Sequence, residues 1–260
     1  MGNKLNSMET LTRKAHTLFS LAHSAMAVLQ DGVSPLSMEH GERLRYLELQ
    51  EALNWKKGLV VYDVGANIGG FAAFVAKLPS VSAIYCFEPV PDVFADLKTK
   101  TETSAKIRCF QVGLADRNGI FLMNSNDCSP SSSMLPLGAI HVEEFPLARN
   151  TRTIEIQTMT MSGVVDRYGL APPDFIKADV QGFEDRVIGG GLELVKNAKY
   201  CMLELSLISL YQESVLITDM NALMRNLGFR LVSIIHNIVG ISGEIVQIDG
   251  LYRNDGSRAE

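Results

Sequence analysis

Two rhythms of apolar and polar residues divide the chain. Near the amino end, apolar residues recur at Leu11, Ala15, Leu18, Ala22, Ala25 and Leu29. Spacings of three and four describe one face of a helix, predicted over residues 6–30. Asp31-Gly32 stops it, Ser34-Pro35 and Ser37 make a linker, and Leu44, Leu47 and Leu49 among charges predict a second helix over 39–54. From Leu59 onward the rhythm changes to short apolar runs bounded by turn residues: LVVY, VSAIYCF, KIRCFQV and YCMLELS. These read as strands, the first buried on both faces. Helical stretches alternate with them: within FAAFVAKL, over 92–103, toward Tyr168, from Phe183, and over 218–227, where Gly228 ends the last. IFLMN and the alternating TRTIEIQTMTM add strands, and FRLVSII with EIVQI predict an antiparallel closing pair joined through 237–243. Alternation of strands and helices means an α/β sandwich with a mostly parallel sheet. The expected organisation is an N-terminal helical extension, residues 1–56, and one α/β domain, residues 57–260.

Between Asn124 and Asn150 lie 27 residues whose serines and prolines bar regular structure. A loop that long inside a compact domain is usually functional or disordered, and a lid or substrate loop is expected here. His141 lies on it and is a candidate base.

Composition narrows the function. Apolar residues make up 47% of the chain, enough for a sizeable core, and the net charge of −5 argues against a nucleic-acid surface. No apolar run is long enough to span a bilayer. The four cysteines lack metal-ligand spacing: Cys86, Cys109 and Cys201 fall in apparent strands and Cys128 in the loop, which reads as structural thiols of a reducing cytosol, with a disulfide or a reactive thiol as the other reading. Lys4, Arg13 and Lys14 before LFSLAHSAMAVL, with Ala25-Met26-Ala27, imitate a secretory leader. Ser20, His23 and Ser24 interrupt that run, and the helical spacing favours an amphipathic helix and a cytoplasmic protein. The two N-terminal helices are expected to pack on the core or to pair subunits in a homo-oligomer, with a substrate lid as the other use.

The chemistry centres on LVVYDVGANIGG. Asp63 ends the strand; Gly65, Ala66, Asn67 and Gly69 make the turn; a helix start follows. Glycine lets the backbone approach a ligand, and the helix start presents unpaired N–H groups to it. A second strand ends in Glu88, twenty-five residues after Asp63, where an acid can bind the two hydroxyls of a ribose. A dinucleotide puts pyrophosphate over such glycines, where Asp63 would repel it. A ligand with a cationic amine and a ribose but no phosphate suits the turn better, and S-adenosylmethionine is one. A dinucleotide and a purely structural turn remain the other readings.

DVGAN, FEP at Phe87–Pro89 and IKADVQGFE at Ile176–Glu184 resemble the FkbM-type S-adenosylmethionine-dependent methyltransferases, over about Leu59 to Asp249. The resemblance implies the three-layer class I methyltransferase fold, with strand order 3-2-1-4-5-7-6 and an antiparallel seventh strand. It implies methyl transfer to hydroxyls of sugars, polyketides and similar small molecules or glycans. It also implies a loop over the adenine at Asp116, which alternatively caps the turn at Arg117-Asn118-Gly119. The family's double serine is matched at Ser131-Ser132 or Ser132-Ser133. Two positions depart from the pattern: Ser162 stands for an aspartate, where it can still cap the following helix, and Gln181 for a glutamate.

In that strand order Asp63, Asp179 and Glu204 gather at the carboxyl ends of neighbouring strands, with Lys177 as counter-ion, since residues two apart share a strand face. Asp63 is then expected on the methionine amine and Asp179 on the acceptor hydroxyl as first candidate base, His141 being the second. A structural ion network and a divalent-metal site are the alternatives, the latter weakened by Gln181. The expected cofactor-binding set is Asp63, Gly65, Ala66, Asn67, Gly69, Glu88 and Asp116, with no metal. A cofactor-binding protein without catalysis and a dinucleotide oxidoreductase remain as other functions.

Overall fold

The computed structural model describes residues 49–126, 133–135, 138 and 151–256. The first predicted helix and most of the second, with their packing, lid and pairing roles, lie outside the described residues, as do Cys128, Ser131, Ser132 and His141. A short helix α1 (Gln50–Leu53) leads into β1 (Leu59–Val64). Then come α2 (Gly70–Val75), β2 (Val81–Phe87), α3 (Pro91–Thr101) and β3 (Ile107–Phe110). Pro91 opens α3 at the position where its missing N–H costs nothing. After β4 (Gly113–Leu114), β5 (Gly119–Asn126) and β6 (Thr151–Met159), the chain runs through α4 (Met161–Tyr168), β7 (Phe175–Ala178), α5 (Glu184–Gly189) and α6 (Leu192–Asn197). It continues through β8 (Tyr200–Ser206), α7 (Ile217–Asn226), β9 (Phe229–Val239) and β10 (Ile245–Asn254).

The main sheet has seven strands in the order β3-β2-β1-β7-β8-β10-β9. β1, β2, β3, β7 and β8 run parallel, and β10 is antiparallel to both β8 and β9. This is the expected 3-2-1-4-5-7-6 order with the last strand reversed. Central strands β1, β7 and β8 are buried on both faces, the reason they read as continuous apolar runs. One register row crosses the sheet through Cys109, Cys86, Asp63, Lys177 and Met202. Two polar residues thus meet mid-sheet on adjacent strands, on the same face.

Several boundaries differ from expectation. β5 and β6 form a separate three-stranded sheet with β4, in the order β4-β6-β5. Their alternation carries the reason: Phe121, Met123, Ile154 and Ile156 pack inward around Val90 and Val93, while Ile120 (68% exposed) and Leu122 (61%) face outward. A one-sided pattern marks an antiparallel pair with a wet face, as β5 and β6 form, while β4 joins β6 in parallel. β5 runs to Asn126, taking three residues from the predicted loop, and Asn124 bridges to Ser133 across the loop's start. β6 stops at Met159 because α4 begins at Met161, and the cap is Thr160, whose Oγ1 accepts from the Gly163 N–H at 2.9 Å. Ser162 lies inside the first turn and is not the cap. β9 and β10 are longer than their apolar runs, so the connection between them is 240–244. Cys86 and Cys201 are buried, as small hydrophobes are. Cys109 is half-buried, and its hydrogen bond with Cys86 lowers its thiol to about 6.

Candidate functional site at the carboxyl ends of the parallel strands

The turn after β1 is built from backbone. Gly65 and Gly69 have φ of 71° and 84°, and Asn67 has φ of 50°, so three residues within five are left-handed. Asn67 tolerates this because its Oδ1 accepts from the Ile68 N–H at 2.8 Å. Gly69 caps α2, where a Cβ would lie 2.8 Å from Leu97 and 2.9 Å from Thr101. The Gly65 and Ala66 N–H groups both donate to the Phe87 carbonyl, at 3.0 and 3.1 Å. That pins the turn to the end of β2.

Glu88 completes this half. Its Oε2 accepts from the Asn67 N–H and its Oε1 from the Val90 N–H, both at 3.0 Å. The carboxyl is therefore held in one orientation at the edge of the turn, with a lone pair on each oxygen still available. Burial pushes it up to about 7, although the two N–H groups pull it down.

Lys177 joins this half to the next strand. Its Nζ lies 3.2 Å from Asp63 Oδ1 and 3.6 Å from Asp179 Oδ2, and donates to the Gly65 carbonyl at 3.1 Å. The expected counter-ion role is the observed one. Two other residues complete the turn. Asp63 has no exposed surface, and its carboxylate pairs with Lys177, which in turn holds the Gly65 carbonyl. Burial raises Asp63 above the ordinary carboxylate range although Lys177 works against this. At Gly65 the close approach is made by the protein itself: a Cβ there would lie 2.0 Å from the Asp179 carbonyl oxygen. Gly65 thus seats the β7 end against the β1 turn, and Asp179, 28% exposed, is the carboxylate of this trio that reaches the surface.

Beyond β7 the site is made of side chains. Gln181, left-handed at φ 58°, donates through Nε2 to Asp179 Oδ1 at 2.9 Å and to Glu204 Oε2 at 2.8 Å. Its Oε1 accepts from the buried Tyr211 hydroxyl at 2.5 Å. Its backbone carbonyl accepts from Ser133 Oγ at 2.7 Å, and Ser133 Oγ accepts from the Leu135 N–H at 3.0 Å. Glu184 folds back over its own turn to accept from the N–H groups of Val180 at 2.9 Å and Gly182 at 3.4 Å. Burial pushes Glu184 up to about 8 and holds Glu204 well above the usual range, with Asp179, Glu184 and Asp249 adding to the effect on Glu204. Among the described residues no group of three or more His, Cys, Asp or Glu is arranged to hold a metal ion.

The structure brings Asp63, Gly65, Ala66, Asn67, Gly69 and Glu88 together, and Asp179 and Glu204 beside them. Asp116 is exposed on the loop after β4, 3.9 Å from the Arg117 guanidinium. Sequence reasoning missed Tyr211 and the backbone role of Glu184, and treated Gln181 as a loss of charge. A glutamine directly before a glycine, two residues after a strand-end aspartate, was the available signal for the last.

Residues 63–231 match the model of the methyltransferase FkbM domain. A 2-O-methyltransferase, NoeI, from Sinorhizobium fredii is 30% identical over 159 residues, 59% of this chain and 65% of the relative. The 31-O-demethyl-FK506 methyltransferase FkbM of Streptomyces tacrolimicus is 27% identical over 207 residues, 71% of this chain and 78% of that one. A solved methyltransferase FkbM from Methylobacillus flagellatus superposes with a TM-score of 0.48 at 14% identity, over 76% of this chain and 44% of that one. The chain thus spans just under two thirds of the NoeI relative and less than half of that solved chain. With the domain model matched from the β1 aspartate into β9, well over half of the 260 residues, this chain belongs to the methyltransferase FkbM domain family.

Proposed function

We propose that the chain transfers a methyl group from S-adenosylmethionine to a hydroxyl oxygen of a sugar, glycan or other small natural product. The observation that carries this reading is the pairing, on one sheet edge, of an aligned Glu88 beside a left-handed turn with a surface-reaching Asp179 on the neighbouring side. The residues fit the cofactor. The turn and its surroundings present Glu88 and Asp179, and the nearby cation Lys177 is already engaged by Asp63, Asp179 and the Gly65 carbonyl. Such a site suits a ribose and a cationic amine and repels a pyrophosphate. Bound there, the cofactor supplies an electrophilic methyl on a sulfonium.

The chain's own residues then have three tasks. Glu88 accepts from the ribose hydroxyls, with its orientation already set by Asn67 and Val90. The turn over Gly65, Ala66, Asn67 and Gly69 holds the reacting end over the strand edge, and Asp116 borders the adenine side. Asp179 takes the proton from the acceptor hydroxyl, a poor nucleophile at neutral pH. Most of the rate comes from aligning acceptor and methyl and excluding water. His141 is the second candidate for the base. The relatives are named a 2-O-methyltransferase and a 31-O-demethyl-FK506 methyltransferase, and a hydroxyl acceptor is carried to this chain on that basis. We further propose the division into a helical extension, 1–56, and a methyltransferase domain, 57–260.

The test is calorimetric titration with S-adenosylhomocysteine, with NAD as control, followed by transfer of radiolabelled methyl to a panel of methyl glycosides. Micromolar binding of the first, on the order of −8 kcal/mol, and label in an ether-linked methyl group are expected. Binding of NAD alone would overturn the reading.

A further inference from the structure

We propose that Gln181 is a positioning residue for methyl transfer: its amide locks the Asp179 carboxylate in place, and its backbone carbonyl ties Ser133 to that carboxylate. This rests on the reading of Asp179 as the acceptor-side base. The geometry is specific to an amide. Both hydrogens of Nε2 are used, one on Asp179 Oδ1 at 2.9 Å and one on Glu204 Oε2 at 2.8 Å, while Oε1 receives the Tyr211 hydroxyl at 2.5 Å. Only a group that donates twice and accepts once satisfies all three partners. Gln181 adopts φ of 58° to do so, a conformation a glutamine takes only when its surroundings hold it there. Its carbonyl accepts from Ser133, whose neighbour Leu135 packs with Tyr211 and Phe183 in one apolar cluster. Asp179 is therefore held from two sides, by Lys177 at 3.6 Å from Oδ2 and by Gln181 on Oδ1. A shift of the Ser133 segment reaches the carboxylate through one residue.

The charged and titratable groups around this amide are Asp179 and Lys177 from β7 and its turn, Asp63 from β1, Glu184 from α5, Glu204 from β8, Asp249 from β10, and Tyr211. Acids dominate, and this makes Q181E diagnostic. Protonated, the introduced carboxyl keeps the shape and one donor. Ionised, it donates nothing and brings a second negative charge against the Asp179 carboxylate. The ratio of Q181E to wild-type kcat should fall about tenfold or more from about pH 6 to about pH 8, with S-adenosylhomocysteine affinity unchanged within about twofold. A ratio that stays flat across that range overturns the role, since a purely structural defect costs the same fraction at each pH. If Q181E does not fold, Y211F removes a single hydroxyl from the same network. It should lower kcat severalfold at unchanged KM for the methyl glycoside acceptor, and an unchanged kcat overturns the proposal. Wild-type protein that binds S-adenosylhomocysteine yet labels no acceptor refutes the base reading and the role of Gln181 together. Wild-type transfer with a flat ratio refutes Gln181 alone.

Discussion

The ends of β1 and β2 and the ends of β7 and β8 lie side by side in one sheet, yet they are held by different means. On the β1–β2 side almost every constraint is backbone: three left-handed residues between Gly65 and Gly69, two N–H groups on the Phe87 carbonyl, and two more on Glu88. On the β7–β8 side the constraints are side chains that converge from far apart in the sequence, with Gln181 drawing together Asp179, Glu204, Tyr211 and Ser133. Lys177 and Gly65 join the two halves. A cofactor shared by many enzymes can be met by a fixed backbone frame. An acceptor that differs between enzymes has to be met by side chains and loops, which change without disturbing the sheet. The same contrast separates what substitutions should do on each side.

The largest effect is expected where the halves touch. G65A puts a Cβ 2.0 Å from the Asp179 carbonyl at a position with φ of 71°. Overpacking and left-handed strain together should cost about 3–5 kcal/mol of stability in urea unfolding, and S-adenosylhomocysteine binding should be lost with it. Full stability would mean that the β1 and β7 ends separate easily, and the two halves would then be independent.

D179N acts on one half only. Turnover should fall about a hundredfold, the lower range for losing a positioned base, while S-adenosylhomocysteine affinity changes less than about threefold. A loss of affinity as large as the loss of turnover would erase the division into cofactor and acceptor sides.

E88Q acts on the other half and brings a pH dependence. Glu88 lies at about 7 in the folded chain, above an ordinary glutamate, because burial disfavours its charge. The ionised form is the better acceptor for two ribose hydroxyls, so ligand binding releases the proton. Affinity for S-adenosylhomocysteine should therefore rise as pH climbs toward neutrality, by at most about tenfold per pH unit, and level off above about pH 8. E88Q should weaken binding about tenfold and remove that dependence. The same carboxyl sets a sign for stability. A raised folded pKa favours the protonated state, so its contribution is greatest below the ordinary glutamate value and is lost as pH rises to about 7. A pH-independent affinity in the wild type would take Glu88 out of the cofactor site.

The smallest effect is expected from S133A. It removes the 2.7 Å bond to the Gln181 carbonyl and the 3.0 Å bond from Leu135, a loss of about 1 kcal/mol. It should raise the acceptor KM severalfold and leave cofactor affinity unchanged. A shift in cofactor affinity instead would place the Ser133 segment on the wrong side of the comparison.

Local chemistry made one half legible in advance. Glycine and asparagine spacing marks left-handed backbone, an acid directly after a strand end lands at the sheet's carboxyl edge, and continuous apolar runs mark strands buried on both faces. So the LVVYDVGANIGG turn, Glu88, the sheet order and the Lys177 counter-ion could be read from the chain. Each depends on neighbours a few residues away or on the resemblance of three short motifs. Other features were decided only by packing. That Asp63 is wholly enclosed depends on what covers it. That Gly65 is glycine for the sake of the Asp179 carbonyl depends on a contact 114 residues away. Which sheet β5 and β6 join, and that Thr160 rather than Ser162 caps α4, depended on where the strand stops. Gln181 is the clearest case. As a letter it is a missing charge; in the fold its amide is a two-armed donor between acids, because Glu204, Tyr211 and Ser133 arrive from other elements. Periodicity and turn chemistry are properties of neighbours along the chain, whereas burial, charge pairing and donor counts belong to groups that only the tertiary structure brings together.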